Sequence, residues 1–382
     1  MGVEAALSVA LLLMTGLLTA SLIKLMHVNR GFTVERTMTA MVDLPREQYP
    51  DRQHRAAFYR EVLRRLDGVP GVKHAAITSV LPLTGNSWGE AAQLPGDNRP
   101  IAQLPQENFR WISPEYFKTI QLPLISGQLF TASNWGQNVA AVSERTARTL
   151  WPGKDPVGQQ FKRAGTTDEK PFTVVAVVGN ARTVSLAKAD PMLIYVPYWF
   201  RCDEMAGLVV RTKQGPASMA DAIRQTIWSE DRGVSLPKVR ALGSIVADSV
   251  ATQRFEMDLL LLFAGSALLL AGLGVYSVVT YSVVQRHREI GLRLALGAPR
   301  GSVYRLVLRD GLPPICLGTV AGLGLAFAMA RIMETLLFQI SPYDPAMALG
   351  STFVLLVVGV AACLFPARRA ATMEPMQALR AE

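Results

Sequence analysis

Residues 259–285 read LLLLFAGSALLLAGLGVYSVVTYSVVQ, a run without a single charged side chain. A hydrocarbon core about 30 Å thick needs roughly 20 apolar residues in helix to cross it. Backbone groups in lipid can pair only with one another, so such a run must be a helix. Three further stretches satisfy the same condition: Ala5–Ile23, Gly311–Ala330 and Pro345–Ala367. The fold class is thus a membrane protein of four transmembrane α-helices, arranged one plus three around a long polar insertion. The first run has a second reading as a signal peptide cleaved after Ala20. Its leading Met-Gly-Val-Glu carries no Lys or Arg and its apolar run exceeds a usual signal core, so a retained helix is expected.

Bulk properties agree. Half of the 382 residues are hydrophobic, and the mean hydropathy is positive, which is unusual for a soluble chain of this length. The net charge of +9 would suit nucleic acid, but the arginines crowd beside apolar runs, as topology signals do. No nucleic-acid partner is expected. Cys202, Cys316 and Cys363 provide neither a disulfide framework nor a metal cluster.

Orientation follows from short loops. Arg286, Arg288, Arg293, Arg300, Arg305 and Arg309 fall between the second and third runs, and Arg368, Arg369 and Arg380 follow the fourth. The loop from Phe338 to Pro345 has no positive residue. The positive-inside rule therefore places the arginine-rich loop and both termini in the cytoplasm, against the weak contrary signal of Lys24 and Arg30. The expected division is 1–26 (first helix), 27–255 (outer domain), 256–285 (second helix) and 286–310 (cytoplasmic loop). It continues with 311–336 (third helix), 337–344 (short outer loop), 345–367 (fourth helix) and 368–382 (tail).

The outer domain reads as mixed α/β in two small lobes. Strands are expected at Thr37–Leu44, Val72–Val80, Phe109–Ile112, Val139–Val142, Phe172–Val178, Leu193–Val196 and Leu208–Arg211. Helices are expected at Arg52–Leu66, after Ser113-Pro114, after Ser143, and at 217–229. His27, His54 and His74 lack metal-ligand spacing, and no G-x-S-x-G elbow occurs. No catalytic, cofactor or metal site is expected. Within the membrane, Gly318-Thr-Val-Ala-Gly322 permits close helix approach, either inside one chain or between subunits. Pro313 and Pro314 should kink or delay the third helix.

The segment Val284-Gln-Arg-His-Arg-Glu-Ile-Gly-Leu-Arg-Leu-Ala-Leu-Gly-Ala-Pro-Arg300 continues the second helix out of the membrane. With apolar and cationic residues together, it suits either the membrane surface or a partner's groove. Within it, Arg288-Glu-Ile-Gly-Leu-Arg-Leu-Ala-Leu-Gly-Ala298 closely resembles the R-E-I-G-x-x-x-A-L-G-A signature of the MacB/FtsX superfamily of ABC transporter permeases. The tail from Pro366 to Arg380 resembles that family's P-A-R-R-A-A…P-x-x-A-L-R ending. Stretches 110–117, 142–158 and 174–179 resemble its MacB-type periplasmic core domain, as found in the duplicated orphan permeases.

The resemblance implies a permease subunit of a mechanotransmission-type ABC system in the bacterial inner membrane. It would export or extract a peptide, drug or lipid-linked substrate; a signalling scaffold controlling an outer enzyme is the alternative. The loop would be a coupling helix seated on an ABC-type ATPase. Ile290, Leu292, Leu294 and Leu296 would form its docking face, Arg288 and Arg293 would pair with acids, Glu289 would order the helix start or meet a basic partner residue, and Gly297 would end the helix. Further implied partners are a second permease module or a second copy, membrane lipid, and a periplasmic adaptor or outer-membrane channel. A duplicated permease would carry another four-span module upstream, so the chain is expected to be a C-terminal half, a truncated frame or a half-permease. No G-x-x-x-x-G-K-[ST] loop is present, so the chain is expected not to be an enzyme, with ATP reaching the system through the partner.

Overall fold

The computed structural model describes residues 2–85, 89–165, 170–188, 191–213, 215, 219–235, 238–286, 289–290, 292–293, 296, 299–333 and 337–371. The chain divides into a membrane unit, formed by residues 1–27 and 252–382, and an outer unit formed by residues 28–251.

The membrane unit opens with helix α1 (Gly2–Met26). The outer unit follows in the order β1 (Thr37–Asp43), α2 (Arg52–Asp67), β2 (Val72–Thr78), β3 (Gly89–Gln93), β4 (Gln106–Ile112), α3 (Tyr116–Ile120) and β5 (Leu124–Gly127). It continues with β6 (Val139–Ser143), α4 (Glu144–Leu150), β7 (Gln160–Arg163), β8 (Phe172–Val178), β9 (Leu193–Pro197) and β10 (Met205–Thr212). Last come α5 (Ala220–Glu230), β11 (Arg240–Ala241) and α6 (Leu242–Ser249).

Two strand groups make the outer unit. In the first, β11, β1, β10 and β2 lie side by side and antiparallel, with Met38 opposite Val210 and Val209 opposite Ala76. Helix α2 covers this group because its apolar residues fall on one face: Phe58, Tyr59, Val62 and Leu66 are buried. Asp51 caps it by accepting from the Gln53 and His54 amides. In the second group the pairings close on themselves. β4 pairs with β3, β3 with β7, β7 with β8, β8 with β6, β6 with β9, and β9 again with β4. Its core gathers Phe109, Trp111, Phe161, Phe172, Ile194 and Val196, with Leu150 and Trp151 from the end of α4. The groups join where Thr78 of β2 meets Ile112 of β4.

Ser113 departs from expectation. It caps no helix: its Oγ accepts the Ile77 amide at 3.0 Å, and Glu115 occupies the cap position of α3 without a side-chain bond. The strand edge outcompetes the short helix for the hydroxyl because Ile77 is buried and its amide would otherwise go unpaired.

The chain returns to the membrane unit through α7 (Ala251–Gln285), followed by α8 (Arg300–Met333) and α9 (Pro345–Ala371). All four long helices are apolar enough to cross a bilayer. Polar side chains of α1 bond across the unit: Ser8 Oγ donates to the Ala267 carbonyl of α7 at 3.0 Å, and Ser21 Oγ accepts the amide of Phe338, in the connection before α9, at 2.8 Å. The expected delay at Pro313 and Pro314 does not occur, for α8 begins at Arg300 and runs through both. Neighbouring helices hold it there. A Cβ on Gly311 would come within 2.7 Å of Cys363 Sγ on α9, so the two helices are in close contact one turn from the prolines.

Candidate coupling site

Beyond Gln285 the helical hydrogen bonding continues. The Arg286 amide donates to the Ser282 carbonyl, and the Ile290 amide to the Arg286 carbonyl at 2.9 Å. This carries Ile290 back under the bundle. It is 3% exposed and belongs to a cluster with Val275, Val279 and Val283 of α7, Val303, Val307 and Ile315 of α8, and Leu355 of α9. A cavity of about 120 Å³ lies beside it, walled by Val279, Val283, Leu306, Val307 and Pro314. At its rim Arg286 Nη1 meets Asp310 Oδ2 at 2.9 Å, tying the exit of α7 to α8. Both side chains are partly exposed, so the pair contributes about 1 kcal/mol or less.

Ile290 is therefore a correction to the expected docking face. Residues advance about 100° each around a helix, so positions two apart point to nearly opposite sides. Leu292, two positions on, is 53% exposed, and Leu296 is 80% exposed. The Leu296 amide donates to the Leu292 carbonyl at 3.0 Å, which puts the two on one side. Arg293 is paired within the segment, its guanidinium donating to Glu289 one turn earlier. Arg288, Leu294 and Gly297 lie outside the described residues.

The G-x-x-x-G pair has an occupant inside the same chain. A Cβ on Gly318 would come within 2.6 Å of Ala5 Cβ, and one on Gly322 within 2.9 Å of Ala6 Cα. Both glycines thus seat α8 against the backbone of α1.

The outer unit holds three buried charges that sequence reading passed over. Glu107 of β4 is fully buried and accepts from Thr146 Oγ1 at 2.9 Å, while its Oε1 has no hydrogen-bond partner among the described residues. Burial pushes its carboxyl up to about 7, with the Thr146 hydrogen bond and the Arg145 charge opposing. Arg110, on the other face of the same strand, is enclosed near Tyr116 and Tyr195, and desolvation lowers its pKa. Arg211 of β10 donates to the carbonyls of Thr119 at 2.6 Å, Glu35 at 3.3 Å and Thr33 at 3.4 Å. Apolar neighbours could have signalled burial for Arg110, between Phe109 and Trp111, and for Arg211, after Val209 and Val210, but not for Glu107, which stands between Gln106 and Asn108. Among the described residues, no three His, Cys, Asp or Glu side chains are placed to hold a metal.

Residues 5–226 match the MacB-like periplasmic core domain, and residues 261–375 match the FtsX-like permease C-terminal domain. The chain belongs to the MacB/FtsX permease family. It is 26% identical over 282 residues to the probable export ATP-binding/permease protein MacB of Pseudomonas entomophila, covering 70% of this chain and 41% of that one. With the ABC transporter permease YknZ of Bacillus subtilis it shares 24% identity, over 71% of this chain and 69% of that one. The crystal structure of the periplasmic region of MacB from Actinobacillus actinomycetemcomitans aligns with 59% of the chain and 97% of its own length. The identity there is 16% and the TM-score 0.40. The chain thus spans well under half the length of several MacB relatives that it matches. In sequence, a MacB-like extracytoplasmic domain stands between the first membrane helix and the remaining three.

Proposed function

We propose that the chain is the permease subunit of a mechanotransmission-type ABC transporter and that the segment after α7 receives the stroke of a partner ATPase. The observation that carries this reading is the split between Ile290 and its neighbours. One side of a short helical segment is bolted into the cluster of α7, α8 and α9, and the other presents Leu292 and Leu296 to a partner. A push on those leucines would pass through Ile290 into packed helices, a rigid-body route that needs no unfolding. Exposed leucines on a segment also rich in arginine suit an amphipathic groove with acidic edges. The cargo would be an amphiphilic peptide, drug or lipid-linked molecule on the outer side.

In this reading the segment and both termini would lie in the cytoplasm and the helices in a bacterial inner membrane, an orientation favoured by the arginines from Arg286 to Arg309. The test is the stimulation of the partner ATPase by detergent-purified chain. L292D/L296D should insert in the membrane and fold as the parent does, yet no longer stimulate or co-purify with the ATPase. Undiminished stimulation would remove this surface from the coupling mechanism.

A further inference from the structure

Beside the coupling segment, at the start of α8, lies a second concavity of about 440 Å³, lined by Arg293, Pro299, Ser302, Arg305, Leu306 and Arg309. Arg305 and Arg309 stand one helical turn apart, and both are exposed. Neither forms an ion pair among the described residues, whereas Arg286 and Arg293 are each matched by a carboxylate. The two unmatched arginines precede the charge-free run that begins at Gly311 by six and two positions. At 1.5 Å per residue this is about 3–9 Å outside the hydrocarbon edge, the level of lipid headgroups. Leu306 lines this basic groove and also the apolar cavity beside Ile290. A cationic concavity therefore adjoins an apolar one at the membrane boundary.

We propose that this groove binds an anionic phospholipid, with the phosphate held by Arg305 and Arg309 and an acyl segment against Leu306 and the adjoining cavity. Forked guanidiniums suit a phosphodiester, and two arginines at headgroup depth with no ion pair among the described residues favour a negative lipid over a zwitterionic one. The apolar half distinguishes a lipid from free phosphate, which has nothing to place there. The site abuts Arg293 and Ile290, so its lipid would brace the coupling segment from the membrane side.

The test uses the full chain in detergent, titrated with short-chain phosphatidylglycerol or phosphatidylcholine and read by native mass spectrometry. The parent should prefer phosphatidylglycerol, with an affinity that falls as salt rises. R305Q/R309Q should weaken phosphatidylglycerol binding roughly 30-fold, and R305K/R309K should stay within a few-fold of the parent. No preference in the parent, or unchanged binding in R305Q/R309Q, overturns the proposal. So does displacement by millimolar inorganic phosphate as complete as by lipid, since that would mark a simple anion site. Loss of ATPase co-purification from R305Q/R309Q with lipid affinity intact overturns it too, and would assign the groove to a protein contact.

Discussion

Gly322 of α8 lies against the backbone of Ala6 in α1, so close that a Cβ at residue 322 would fall 2.9 Å from Ala6 Cα. The first helix, separated from the other three by the whole outer unit in sequence, is thereby fixed to α8 by backbone contact. Gly324, two positions on, meets nothing within 4 Å. G322V should destabilise the detergent-solubilised chain by about 1–3 kcal/mol, because neither backbone can retreat from a branched side chain. G324V should leave the melting temperature nearly unchanged. Equal shifts in both variants would contradict the packing described.

Ile290 and Leu292 should separate in the same way. I290D places a charge in the helix cluster and should cost about 3 kcal/mol or more, visible as loss of monodisperse protein on size exclusion. L292D, at an exposed position, should change stability by about 0.5 kcal/mol or less. A stable I290D would show that the segment is not anchored by that side chain.

Much of this architecture was legible in the sequence, and the exceptions have physical causes. A charge-free run of helix-crossing length needs no partner to declare itself, so all four membrane helices could be read directly. The start of α7 could not, because Arg254, Glu256 and Asp258 end the apolar run at Leu259 while the helix itself begins at Ala251. Strands β3, β5 and β7 are four or five residues long, and all four positions of β5 are exposed. Their pairing is supplied by β4 and β8, not by local preference. After α7, the alternation of Ile290, Leu292, Leu294 and Leu296 resembles one apolar face. That spacing belongs to a strand; on a helix it divides between two sides, and only packing shows which side is covered.

Glu107 gives the outer unit a pH dependence. Its folded-state carboxyl titrates at about 7, above the ordinary range near 4.3. Between those values the folded chain keeps a proton that the unfolded chain has released. The stability that Glu107 contributes is therefore fully present at acid pH and is lost as pH rises through about 7, by a few kcal/mol at most. E107Q, which stays neutral at every pH, should flatten that decline and be the more stable protein at pH 8. Denaturant titrations of parent and variant at pH 5 and pH 8 will check both statements. A stability that rises across this interval in the parent and not in E107Q would reverse the assignment.

Arg211 should matter more than any surface ion pair. Its guanidinium satisfies carbonyls of Thr33, Glu35 and Thr119, joining the stretch that follows α1 to β10 and α3. R211M retains much of the bulk but removes the donor to the Thr119 carbonyl and leaves those of Thr33 and Glu35 only the Thr37 hydroxyl, at about 2–4 kcal/mol. Hydrogen exchange should then show the amides of residues 33–37 opening first. Protection unchanged there would mean that the main chain alone holds the stretch.

The two prolines inside α8 carry a mechanical consequence. Pro313 and Pro314 have no amide hydrogen, so the carbonyls of Arg309 and Asp310 receive no helical bond from them. Residues 300–312 form an arm of about 20 Å beyond that soft joint. A flexure of about 10° there would sweep the tip of the arm by roughly 3 Å, while the part of α8 seated against Ala5 and Ala6 stays still. The Arg286–Asp310 pair sits beside that joint and ties it to the exit of α7.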